Sequence, residues 1–151
     1  NQQETMNFLE NKQELNLNYT SSEISHLKDV KGVMNLIDYL FYLSLIIITL
    51  IITYYKKNKK QLIKLFRYGG ITTLISMGII LFLSLFAFNT TFTIFHQIFF
   101  PQRNWLFPTN SLLIQTFPIE FFIGISVRMF GLGILLGMVL VLVNSLLKKK
   151  S

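Results

Sequence analysis

Long apolar runs alternate with polar segments along the chain, and that alternation predicts most of its architecture. Residues 36–55, 69–88 and 119–147 are predominantly apolar. A helix of about 20 residues rises roughly 30 Å, enough to cross the hydrocarbon core of a bilayer. The third run is longer, so its first turns are expected at the interface, with the crossing itself at 127–147. Residues 1–35, 56–68 and 89–118 are the polar or mixed connections, and 148–151 form a basic tail. The expected fold class is an all-α membrane protein, a transmembrane helix bundle with three spans and a small extracellular cap.

Shorter patterns refine this. Residues 1–14 are polar and mixed in charge, with no defined period. Leu15-Asn16-Leu17-Asn18-Tyr19 alternates apolar and polar residues, the pattern of a half-buried strand. Thr20-Ser21-Ser22-Glu23 reads as a capping box, in which Thr20 accepts from the Glu23 backbone and Glu23 reaches back to Thr20. The helix it opens carries Glu23, His26, Asp29 and Val30 on one face, and Gly32 is expected to bend it. Gln61-Leu62-Ile63-Lys64-Leu65-Phe66 suits a short interfacial helix before Gly69-Gly70 opens the second span. Gly133-x-x-x-Gly137, preceded by Gly131, predicts close helix packing.

Composition supports the membrane reading: 52% of residues are hydrophobic and 15% aromatic, with a mean hydropathy of +0.51. There is no cysteine, which removes disulfides and thiolate chemistry. A net charge of +7 would suit nucleic acid if it were spread over one surface, but it is not. Residues 1–35 hold three lysines against five acids, net −2. Lys56, Lys57, Lys59, Lys60, Lys64 and Arg67 give the segment 56–68 a charge of +6, and Lys148-Lys149-Lys150 adds +3. Cations at the ends of apolar runs are a topology signal, and they assign both basic segments to the cytoplasm. Three spans then bring 1–35 and 89–118 to the outer face, and with them His26 and His96, the only histidines. One further span before residue 1, giving four, is the simplest way to deliver an outer N-terminus. Arg128 is expected at the outer edge of its span, since at the bilayer centre it would cost at least ~2.5 kcal/mol.

Two imidazoles at one membrane face can divide general-base and general-acid work near neutral pH. A single interfacial histidine is more often a satisfied structural residue, and it is the pairing that favours chemistry. Asp29 or Glu23 is placed to orient one ring, although helix capping and solvation account for either carboxylate equally well. Zinc competes: His26, His96 and one carboxylate would supply three ligands, but no HExxH pair exists and the histidines lie 70 residues apart. No serine stands in a GxSxG setting. Phe92, Phe95, Phe99, Phe100, Trp105 and Phe107 suit either a pocket for acyl chains or an aromatic belt at headgroup depth. No metal and no cofactor is expected.

Glu23-Ile24-Ser25-His26-Leu27-Lys28-Asp29-Val30, with Phe95-His96-x-x-Phe99-Phe100, Trp105-Leu106-Phe107, Asn110 and Phe117-Pro118-x-x-Phe121, resembles the lipoprotein intramolecular transacylase family of bacterial membrane proteins. These motifs cover roughly a third of the chain, and Asn110 stands where the family pattern usually carries an acid. The resemblance implies four transmembrane helices under an extracellular cap. It also implies an acyltransferase that moves the sn-2 acyl chain of a diacylglyceryl lipoprotein to the α-amino group of its N-terminal cysteine. His26 and His96 would be the acid/base pair, with Glu23, Asp29, Phe95, Phe99, Trp105 and Arg128 orienting or binding substrate. The partners would be the diacylated lipoprotein and membrane lipids, with the protein monomeric in the cell membrane and no nucleic acid involved. The competing expectations are a non-enzymatic membrane scaffold or transporter subunit, and a zinc-dependent hydrolase of the outer leaflet. Asp38 and Arg128 near span ends, rather than mid-span, argue against a conduction path.

Overall fold

The computed structural model describes residues 1–149; of the expected tail at 148–151, positions 150 and 151 lie outside them. Among the described residues six helices follow in order: α1 (Gln2–Leu9), α2 (Ser21–Tyr55), α3 (Lys59–Phe86), α4 (Phe88–Phe99), α5 (Leu112–Thr116) and α6 (Ile119–Lys149). Among the described residues there is no strand, and the protein is an all-α membrane helix protein. Three helices, α2, α3 and α6, are long and apolar enough to cross a membrane. Their apolar faces are bare: Ile37, Phe41, Ile46, Ile79, Phe82 and Leu135 are all exposed. A fold that left this surface in water would forgo roughly 25 cal/mol per Å², so the lipid-facing role follows from burial as well as length. The chain is a multi-pass membrane protein.

The chain divides into two compact units. The first comprises residues 1–43 and 89–122. Its core is Phe8, Leu9, Tyr19, Leu27, Leu113 and Phe117, drawn from α1, the segment before α2, α2 itself and the α5 region. A buried hydroxyl chain crosses it: Thr5 Oγ1 lies 2.9 Å from the Tyr19 hydroxyl, which donates to Thr116 Oγ1 at 3.3 Å. The expected strand at 15–19 does not form. The segment keeps the alternation in its burial, with Leu15, Leu17 and Tyr19 turned inward and Asn16 and Asn18 out, but it meets no partner strand. Period-2 patterning reports a two-faced extended chain; pairing needs a second edge. Residues 2–9, where no period was legible, form α1, which buries Thr5, Phe8 and Leu9.

The capping box forms as read. Glu23 N donates to Thr20 Oγ1 at 3.3 Å, and Thr20 N donates to Glu23 Oε2 at 2.8 Å. Gly32 does not interrupt α2, a continuous helix of 35 residues. At 35 residues α2 exceeds the roughly 20 needed for one crossing. The charges Lys28, Asp29, Lys31 and Asp38 all precede its uncharged stretch, which therefore begins about three turns beyond His26.

The second unit comprises residues 44–88 and 123–151, and within it α3 packs on α6. Gly69-Gly70 does not start a new helix; Lys59, Lys60, Lys64 and Arg67 share one helix with the apolar run behind them. Only Lys56, Lys57 and Asn58 form the turn, with Asn58 Oδ1 capping α3 by accepting from Gln61 N at 3.2 Å. Gly70 and Gly137 instead permit contact between the helices. A Cβ on Gly70 would stand 2.9 Å from the Gly137 carbonyl oxygen, and one on Gly137 would stand 3.1 Å from that of Gly70. Gly133 abuts Met77, whereas Gly131 faces open space.

Candidate active site

His26 and His96 both lie in the first unit, buried, with ring centres 5.9 Å apart and planes 29° from parallel. His26 projects from the second turn of α2, on the face that also buries Glu23 and Leu27. His96 sits near the end of α4, one turn after Phe92, whose ring centre is 3.9 Å away. Phe100, 1% exposed, packs against both rings, 4.8 Å from His26 and 5.4 Å from His96. Trp105 lies 4.9 Å from His96 and Phe107 5.6 Å from His26.

The aromatic cluster therefore has two parts. Phe92, Phe100, Trp105 and Phe107 pack on the imidazoles. Phe95 touches His96 edge-on at 5.5 Å but is largely exposed, and Phe99 meets Phe95 rather than either histidine. With Ile94 and Ile98 they give α4 an outward apolar face.

Burial sets the charge state of the pair. It pushes His26 down from its ordinary 6.5 to about 4; His96 adds to the push, while the Asn104 amide and the Asp29 carboxylate partly oppose it. His96 is lowered for the same main reason, with its bond to Phe92 opposing. Both rings are thus neutral near pH 7, and a cation on one disfavours a cation on the other. His96 Nδ1 is 2.8 Å from the Phe92 carbonyl oxygen. A carbonyl only accepts, so Nδ1 carries the hydrogen and Nε2 keeps its lone pair.

Asp29 does not bond either histidine directly. Its Oδ2 accepts from Gln102 Nε2 at 2.7 Å and from Asn104 Nδ2 at 2.6 Å, and Ser25 Oγ accepts from the same amide at 3.4 Å. Because a carboxylate only accepts, Asp29 fixes the amide with its nitrogen inward to α2 and leaves Asn104 Oδ1 free. Pro101 and the left-handed Arg103, at φ 61°, turn the chain after α4 so that Gln102 and Asn104 reach α2. No periodicity in the sequence marks these two amides; their only signal is their position between Phe100 and Trp105.

Glu23 is buried and fully engaged elsewhere. Its Oε2 accepts from Thr20 N and Oγ1, and its Oε1 accepts from Leu113 N at 2.8 Å, in the first turn of α5. Burial works to raise this carboxyl, but the hydrogen bonds from Leu113, Thr20 and Leu112 outweigh it and hold the group below its ordinary value. Arg128 belongs to the second unit, exposed on α6.

Among the described residues, the buried side-chain polar atoms with no hydrogen-bond partner are His26 Nδ1, Asn104 Oδ1 and Trp105 Nε1. All three belong to this cluster. Each such atom costs about 1–3 kcal/mol, and a fold concentrates them where an incoming molecule completes the bonding. Among the described residues no group of three or more His, Cys, Asp or Glu is placed to hold a metal ion. The arrangement offers two neutral bases, one free donor and one free acceptor inside an aromatic wall.

No curated protein and no solved structure matches the chain. The family model described as lipoprotein intramolecular transacylase Lit matches residues 1–122, which include the whole first unit and both histidines. Matched over most of its length and carrying its paired imidazoles within that match, the chain belongs to the lipoprotein intramolecular transacylase family.

Proposed function

We propose that the protein moves the sn-2 acyl chain of a diacylglyceryl-modified lipoprotein to the α-amino group of the same lipoprotein's N-terminal cysteine, leaving a lyso form. The observation that carries this reading is the pair of buried, uncharged imidazoles 5.9 Å apart in a chain of this family. The α-ammonium loses one proton to His26. The amine nitrogen attacks the ester carbonyl carbon and the C=O electron pair moves onto oxygen. Collapse re-forms the carbonyl, breaks the bond to the sn-2 glycerol oxygen and returns the His26 proton to that oxygen, and His96 Nε2 then takes the second amine proton, so that only one ring is cationic at a time. His96 then releases its proton to water. An ester and an ammonium become an amide, an alcohol and one proton, with no further reactant.

Asn104 and Asp29 each favour the cationic form of His26, which suits it to the acid role. The lone pair left on His96 Nε2 suits that ring to the base role. Both reacting groups belong to one substrate, so holding them together supplies much of the acceleration. The aromatic wall keeps water from the ester. The positive-inside distribution of lysines supports a site on the outer side of the cell membrane.

Expression in a host that makes only diacyl lipoproteins, followed by mass analysis of lipopeptides, tests this. Lyso-form lipoproteins are expected with the wild type and not with His26→Ala or His96→Ala. Undiminished lyso product from either variant ends the proposal.

A further inference from the structure

The indole nitrogen of Trp105 is buried and has no hydrogen-bond partner, on a ring centred 4.9 Å from His96. An indole N–H can only donate. The other two unpaired atoms of the cluster, His26 Nδ1 and Asn104 Oδ1, have each other's neighbourhood and the Asp29 network to answer them. Trp105 Nε1 has no such network, which leaves this donor free for an acceptor on a bound molecule. Resting on the transacylase reading above, we propose that Trp105 Nε1–H is a catalytic donor that binds the ester carbonyl oxygen and stabilises the oxyanion formed when the amine attacks.

The chemistry matches. When the nitrogen adds, the carbonyl oxygen gains a full negative charge, and it loses that charge when the C–O bond to glycerol breaks. The imidazoles handle protons on nitrogen and on the glycerol oxygen, and neither role serves this third atom. A fixed donor among packed aromatic rings acts most strongly on an acceptor whose charge is growing. A bond to a headgroup phosphate, the usual interfacial use of Trp, would instead be equally strong before and during reaction. The two cases separate in kcat and KM.

The experiment uses the full chain in detergent micelles with a synthetic diacylglyceryl-cysteine lipopeptide. Trp105→Phe keeps the ring packing and removes only the N–H. Its kcat is expected to fall roughly 10²- to 10³-fold, the usual effect of deleting one oxyanion donor, with KM and the pH profile unchanged. A kcat within about threefold of wild type, or a raised KM with kcat retained, overturns the proposal. A second readout does not need the variant to fold. Trp105 is the only tryptophan, so ¹⁵N-labelled wild type gives a single indole N–H signal. A phosphonate lipopeptide, mimicking the tetrahedral oxyanion, is expected to move that signal downfield; an unmoved signal with the analogue bound overturns the proposal. His96→Ala is assayed in parallel. An inactive His96→Ala beside a fully active Trp105→Phe sinks the indole assignment alone, whereas a wild type that forms no lyso product sinks the transacylase reading and this inference together.

Discussion

Glu23 and Leu113, 90 residues apart in sequence, are joined by a 2.8 Å hydrogen bond from the Leu113 backbone N–H to the buried carboxylate. The same side chain closes the capping box of α2 through Thr20. One carboxylate thus caps two helix N-termini, where both the free N–H groups and the helix dipole favour a negative charge. It ties the two sequence segments of the first unit together.

Glu23→Ala is therefore expected to destabilise the protein by about 2–3 kcal/mol, the range for a buried charged hydrogen bond together with a lost cap. Glu23→Gln keeps one acceptor and is expected to cost about half of that. Thermal unfolding in detergent checks both. If Glu23 oriented an imidazole instead, Glu23→Gln would slow turnover at unchanged stability.

The histidine pair makes stability depend on pH with a definite sign. Between about 6.5 and about 4 an unfolded chain binds a proton at His26 that the folded chain refuses. Stability is accordingly full above 6.5 and is lost as pH falls toward 4, by about 3 kcal/mol from His26 alone. His96 is lowered in the same direction and adds to the loss. Unfolding midpoints measured at pH 7.5 and pH 4.5 check this, and His26→Ala is expected to flatten the difference. The acid limb of kcat/KM should likewise lie below 6.5, where free imidazole would place it.

Asp29 bonds Asn104 rather than a histidine and its charge favours the cationic form of His26, so on the proposed function its removal should affect turnover more than folding. Asp29→Asn can no longer dictate which end of the Asn104 amide faces α2. A loss of about tenfold in kcat is expected, equivalent to about 1.4 kcal/mol, the scale of one charge-assisted hydrogen bond. The unfolding midpoint should stay near wild type, and single-turnover assays with the lipopeptide read the difference.

Within the second unit, Gly70→Ala is expected to be harmful and Gly69→Ala benign. The new methyl at Gly70 would meet the Gly137 carbonyl oxygen at 2.9 Å and Val141 Cγ2 at 2.8 Å, forcing α3 away from α6. Overpacking of this kind costs about 1–3 kcal/mol. At Gly69 nothing lies within 4 Å, so alanine should add about 0.5–1 kcal/mol through helix propensity. Melting of the two variants side by side decides it.

The three apolar helices, the capping box at Thr20 and Glu23, the glycine contact of α6 and the two candidate histidines were all legible in the amino-acid order. Each follows from a local or periodic property: span length from the bilayer's thickness, caps from adjacent side chains, packing faces from helical spacing. The family was legible too, from short motifs around both histidines. Contacts between distant segments were not. Nothing in Leu15–Tyr19 says that its alternation would find no partner strand, because pairing depends on an edge supplied elsewhere. Nothing in Glu23 says that it would cap α5, and nothing in Gln102 or Asn104 says that a left-handed turn at Arg103 would carry them to Asp29. The protonation state of the imidazoles was likewise set in three dimensions, by the burial that Phe100, Phe92 and Trp105 impose. A histidine's identity is written in the chain, but its charge depends on what surrounds it, and only the folded packing determines that.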